Sequence, residues 1–238
     1  MSQMDEERKF DFWYAVNNTE IVRLPPRHLE TFGTTILNYH LVTELMDSVD
    51  QVRVRQGRIQ ASQPKIVTPD AYSKTLMEGF GEEAEKYVEW LKQHESQVRV
   101  LQYGYKLKQE AFSEHLISDS MEVVVDRVRE EVEKKDDPLG AVVVGVDHPW
   151  DVCLVKLFWE MVQQSAGTNF EQMEKRSLFT SVAGVPQGIR NDIEAAFLAA
   201  SRNPALINGL GKKLQDLALF DEYQDRFFSL VRASKSGK

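Results

Sequence analysis

Asn38, His40 and Glu44 form the best acid–base constellation in the sequence. Strand side chains alternate between faces, so all three fall on one side of the run Leu37 to Leu45. A histidine beside a carboxylate can move protons near neutral pH, which makes these three the candidate catalytic set. The spacing is cheap, however, because any residues two apart in a strand share a face. A structural histidine is the favoured reading over catalysis.

Arg53, Arg55, Arg58 and Lys65 form a second group, with no acid between residues 51 and 67. Tyr103 and Tyr105 add aromatic platforms if their strand joins the same sheet. Basic residues interleaved with aromatics can hold single-stranded nucleic acid or another anion. The simpler reading is a charged sheet edge that discourages association, and it is favoured. Asp147, His148 and Asp151 cluster at a helix start, where a His and an Asp three apart can share a metal. Capping and first-turn roles explain the same residues, so no metal site is expected. No histidine has Glu three positions before it, and HExxH is absent. Gly209 to Lys213 departs from a phosphate loop, with Leu206 and Lys213 where Gly and Ser/Thr are needed, and reads as an amphipathic helix. Cys153 is the single cysteine; it allows no internal disulfide and no cysteine-based zinc site, and it packs on an apolar stripe.

Several elements must position these residues. Leu37, Tyr39, Leu41, Thr43 and Leu45 form the core face of a strand. Val52 to Arg55, a turn at Gln56-Gly57, Arg58 to Ala61 and a short edge strand at 65–67 complete an antiparallel meander. Phe10–Val16 and Thr19–Leu24 flank Asn17-Asn18 as a hairpin. Thr68-Pro69 opens a helix running to Leu91, weakened at Gly79 and Gly81. Residues 97–117 read as strand again, and Ser120 caps a helix with Val124, Val128 and Val132 on one stripe. Residues 139–146 fit a buried strand or a helix; the helix is preferred because no neighbouring strand pattern would pair with them.

Pro149 opens a helix with Trp150, Cys153, Leu154, Leu157, Phe158 and Met161 on one face. Thr168 with Glu171 forms a capping box for another. Further helices run through Ile189–Ala200, Leu206–Leu217 and Tyr223–Leu230.

The expected fold is therefore α+β: a sheet with one long helix over 1–118, then a helical, bundle-like region over 119–238, the two packing as separate domains or one body. The chain has 238 residues and a net charge of −8, spread evenly as −4 in each of these halves. No basic domain is left to suggest non-specific nucleic-acid binding. The polar, acidic start and the lack of a long apolar run predict a cytoplasmic, soluble protein with no membrane association. No cofactor is expected. The leading expectation is a non-enzymatic protein-interaction or structural protein with a protein partner. The alternatives are an RNA- or anion-binding module on the arginine strip, and an enzyme using His40.

Overall fold

The alternation between Leu37 and Leu45 builds the strand from which the sheet grows in both directions. In the computed structural model, which describes residues 11–45, 51–66, 77–94 and 103–236, this strand is β2, Thr35–Glu44. Leu37, Tyr39, Leu41 and Thr43 are fully buried on one face, as a period of two requires. On the other face Val42 is buried, Asn38 and His40 are half-buried, and Glu44 is exposed.

β3, Gln51–Ile66, runs antiparallel to β2, with Thr35 opposite Ala61 and Glu44 opposite Val52. It is one continuous strand, so the turn expected at Gln56-Gly57 is absent. Gly57 lies opposite Tyr39, and a Cβ there would stand 2.6 Å from the Tyr39 hydroxyl and 2.8 Å from Phe112 Cβ. The glycine makes room for a ring rather than a bend. Gly57→Ala should cost about 1–3 kcal/mol through overpacking, read as a lower urea midpoint.

The other strands of this sheet are β1 (Glu20–Arg23), β4 (Met77–Glu78), β5 (Tyr103–Gln109), β6 (Ser113–Ser118) and β7 (Gly140–Gly145). Their order is β1-β7-β2-β3-β5-β4, and β6 also pairs with β3. β7 is antiparallel to β1 but parallel to β2, and β4 is parallel to β5. The sheet is therefore mixed, not an antiparallel meander. β7 also corrects the helix expected at 139–146. Ala141, Val142 and Val143 are fully buried between two partner strands. A strand covered on both faces loses its alternation and reads like a buried helix. The strand expected over 97–117 is two strands, β5 and β6, with 97–102 outside the described residues.

Two helices cover opposite faces of the sheet. α3 (Met121–Lys134) lays Val124, Val128 and Val132 on Val42, Val52, Val54 and Val142. α4 (Trp150–Lys175) covers the Leu41 face, where a Cβ on Gly145 would meet both Cys153 Sγ and Leu41. The break expected at Thr168 does not occur. Ser165 and Asn169 are fully buried and hold the helix to its surroundings. Ser165 Oγ accepts from Leu29 N, and Asn169 bonds Thr31 and the Tyr105 hydroxyl.

The hairpin expected at Phe10–Leu24 is instead helix α1 (Phe12–Asn17) followed by β1. Asp11 caps α1 by accepting from Tyr14 N. Phe12 and Trp13 then pack on Tyr87 and Trp90 of α2 (Glu82–His94). Aromatic residues that suggested a strand serve a helix–helix contact. α2 starts after Gly79, which has φ +88; the helix start expected at Thr68-Pro69 lies outside the described residues.

The chain forms two compact units, the first holding 105–170 with most of the preceding residues, the second holding 171–238 with short pieces near 65–73 and 102–104. The change of character at 118/119 is not this boundary, since α3, β7 and most of α4 belong to the first unit. The second unit carries a small hairpin, β8 (Ser181–Val182) and β9 (Val185–Pro186), so the region from 119 onward is not purely helical. Its two-residue turn has Ala183 at φ 52 and Gly184 at φ 80, the twist tight hairpins favour. Helices α5 (Gln187–Arg202), α6 (Ile207–Asp216) and α7 (Phe220–Ser236) follow. Their core joins Ile189, Ile193, Phe197, Ile207, Leu210 and Leu214. Gly209 to Lys213 lies in α6, where Gly211 lets the Phe227 ring approach closely. No helix among the described residues is long and apolar enough to cross a membrane.

Candidate functional site

β3 places Arg53 and Arg55 on the face it shares with Leu41 and Thr43 of β2. That face is the apolar one, so two cations enter a place that requires a counter-charge. Asp147, in the loop between β7 and α4, supplies it. Arg53 Nη1 donates to both Asp147 oxygens at 2.7 Å, and Arg55 Nη2 donates to Oδ1 at 2.8 Å. Thr43 Oγ1 donates to the same carboxylate at 3.3 Å and accepts from Arg55 Nη1 at 3.4 Å. The Arg55 side chain is only 5% exposed; those of Arg53 and Asp147 are each 23% exposed. The Arg55 guanidinium lies over the Trp150 ring, which meets Phe112 edge-on.

Two guanidiniums thus share one carboxylate, and the sharing leaves donors over. Arg53 Nε and Arg55 Nε are both buried and have no hydrogen-bond partner among the described residues. Glu114 of β6 stands near both: its Oε2 is 3.4 Å from Arg55 Nε and 3.9 Å from Arg53 Nε. This is ion-pair distance without hydrogen-bond alignment, and the Glu114 side chain is 52% exposed. The cluster lies where β2 and β7 run parallel, just past Thr43 and Gly145 at their carboxyl ends, and before the N-terminus of α4. Ligands of open sheets with helices on their faces bind at such carboxyl ends, and a helix N-terminus favours an anion. No protein family, curated protein or solved structure matches the chain.

The other residues singled out from the sequence are placed apart from this cluster. Arg58 points to the opposite face and pairs with Glu110 at 2.8 Å. Tyr105 is buried and bonded to Asn169. The side chains of Lys65 and Tyr103 lie outside the described residues. His40 faces α3, and the constellation drawn around it is not assembled. Asn38 Nδ2 donates to Asp137 Oδ2 at 2.7 Å, while Glu44 is exposed at the end of the strand. His40 Nδ1 lies 3.4 Å from the Ala141 carbonyl. Among the described residues no three His, Cys, Asp or Glu side chains are grouped to hold a metal. Asp147 is not free to cap α4, and Asp151 accepts from Gly81 N.

Burial pushes the His40 pKa below its ordinary 6.5, outweighing the carbonyl and the nearby acids Glu131 and Asp137, with Lys135 adding to the depression. The unfolded chain therefore binds a proton before the folded one does. His40 contributes stability that is fully present above pH 6.5 and is lost as pH falls toward the folded value. His40→Gln should flatten that part of the stability–pH curve, checked by urea unfolding at a series of pH values.

Sequence reasoning found Arg53 and Arg55 but missed Asp147 as their partner, and it missed Glu114, Thr43, Trp150 and Phe112. One signal was available. An Arg-x-Arg pair on the buried parity of a strand requires a carboxylate from another element.

The second unit holds a groove of about 630 Å³ between α5 and α7. Phe197, Leu198 and Leu230 line it, and the Arg226–Glu194 ion pair closes on itself across it. Leu198 is 55% exposed there.

Proposed function

We propose that this protein binds a small anionic ligand at the Arg53–Arg55 pair. The observation that carries the reading is the pair of buried Nε–H groups without hydrogen-bond partners, a condition that native interiors rarely tolerate without a purpose. Asp147 fixes the outer ends of both guanidiniums, so the donors are already arranged before a ligand arrives. Preorganised Arg donors suit carboxylate or phosphate oxygens. A small ligand fits this arrangement better than an RNA strand, because Arg55 is turned inward onto Asp147 rather than out along the sheet. Nothing in the reading requires catalysis.

The test is titration calorimetry at low ionic strength with acetate, 4-phenylbutyrate and inorganic phosphate. Saturable binding of at least one anion is expected, with loss in the double variant Arg53→Lys, Arg55→Lys. Lysine keeps the charge but has no Nε–H fork. Absence of binding by all three would overturn the reading.

A second reading keeps the protein partner, and exposed Leu198 in the α5–α7 groove favours it. The occupant would be an amphipathic helix laying its apolar face in the groove, with no charge of its own needed because Arg226 and Glu194 neutralise each other. Leu198→Asp should abolish binding of any purified helical partner; binding equal to wild type would end this reading.

A further inference from the structure

We propose that Glu114 is a built-in competitor for the arginine site, and that the ligand whose place it takes is a monocarboxylate with an apolar body. This rests on the anion-binding reading above. Charge selects the class. Arg53 and Arg55 against Asp147 leave one positive charge, and Glu114 supplies one negative charge beside it. A monoanion in that place restores neutrality, whereas a phosphate dianion leaves an excess negative charge next to Asp147 in a poorly hydrated site.

Glu114 is also a poor occupant of its own place. Its nearest oxygen serves neither Nε–H as a hydrogen-bond acceptor, and half of its side chain already meets solvent. It is anchored to β6, opposite Arg55, and its short tether holds the carboxylate off the donors. A free carboxylate has no such tether. It can accept from both Nε–H groups while Glu114 swings outward, an exchange of an ion-pair neighbour for a hydrogen-bonded one with no covalent bond made or broken.

The surroundings specify the rest of the ligand. Leu116 shares the face of Glu114 by strand alternation and is 58% exposed. Phe112, on the other side, is 42% exposed and rests against Trp150. Two exposed apolar side chains thus flank the carboxylate of Glu114. A ligand with a hydrocarbon or aromatic body covers them; acetate does not.

The experiment compares wild type with Glu114→Gln by calorimetry, using 4-phenylbutyrate, acetate and inorganic phosphate as probes, with urea unfolding to verify the fold of the variant. If Glu114 fills the place about nine-tenths of the time, its removal tightens apparent binding about tenfold. That gain is expected for 4-phenylbutyrate, which should also bind more tightly than acetate to both proteins. Leu116→Ser should weaken 4-phenylbutyrate several-fold and leave acetate unchanged. Equal affinity of wild type and Glu114→Gln for 4-phenylbutyrate would overturn the competitor role while leaving anion binding in place. Phosphate bound more tightly than 4-phenylbutyrate by Glu114→Gln would overturn the ligand class. Failure of both proteins to bind any of the three would remove the anion-binding reading itself.

Discussion

Asp147→Asn should lower the stability of the first unit by on the order of 3–5 kcal/mol, the largest loss expected from any single charge. The substitution keeps the shape of the side chain and removes the charge on which Arg53 and Arg55 both converge. Arg55 cannot turn to water instead, being almost wholly buried under Trp150. Glu114 already stands at ion-pair distance on the Nε side and balances only one of the two cations, so it does not replace Asp147. The penalty is therefore that of an uncompensated buried cation rather than of one lost contact. A second variant separates the two. Adding Arg53→Met and Arg55→Met to Asp147→Leu should restore most of the stability, because an apolar replacement removes the cations as well as the acid. Urea unfolding of the single and triple variants reads both effects. A loss under about 1 kcal/mol in Asp147→Asn would show that water screens the cluster.

Leu157→Ala should cost on the order of 2–5 kcal/mol as a cavity in the core under the sheet. Leu157 is fully buried, and Cys153, Leu154 and Met161 around it on α4 are buried as completely. Close packing leaves little room for these neighbours to collapse into the space. Cys153 reports on the same region without mutation. Burial pushes its thiol pKa upward, so the reactive thiolate is scarce as well as inaccessible. Alkylation of native wild type should be slow and should accelerate in Leu157→Ala, because opening of the core gates the reaction. Rapid labelling of the native wild type, with an unchanged melting point for the variant, would mean that α4 does not anchor the core.

The residues most legible in the sequence were those whose environment repeats with a local period. The alternation from Leu37 to Thr43 and the spacing from Cys153 to Met161 each announce one buried face, and each is buried. The α3 valines and the α5 to α7 stripes are of the same kind. What failed to read depends on distant partners. Val142 and Val143 look alike in strand and helix, and the decision belongs to β1 and β2, about a hundred residues earlier. Gly57 carries the same local signal as a turn glycine, and only Tyr39 on the facing strand shows what it is for. Lys156 falls off the apolar stripe of α4 by its spacing, the position of a solvent-facing residue, yet its Nζ donates to the carbonyls of Val16 and Thr19. Asp147 reads as a helix cap because it precedes Pro149; its engagement by Arg53 and Arg55 comes from a strand formed far earlier in the chain.

The insertion of β7 between β1 and β2 also has a consequence for synthesis. A ribosome finishes β2 at Glu44 but does not release its inner neighbour until Gly145 has been added. At roughly 5–20 residues per second, the interval is on the order of 5–20 s. During it β2 can pair with β3 on one side while its other edge, with apolar Leu37, Tyr39 and Leu41 beside it, stays unpaired. An open apolar edge is a template for another chain. The newborn protein therefore passes through a period in which a holding chaperone, or simply a low density of neighbouring nascent chains, determines whether β7 or a stranger completes the sheet.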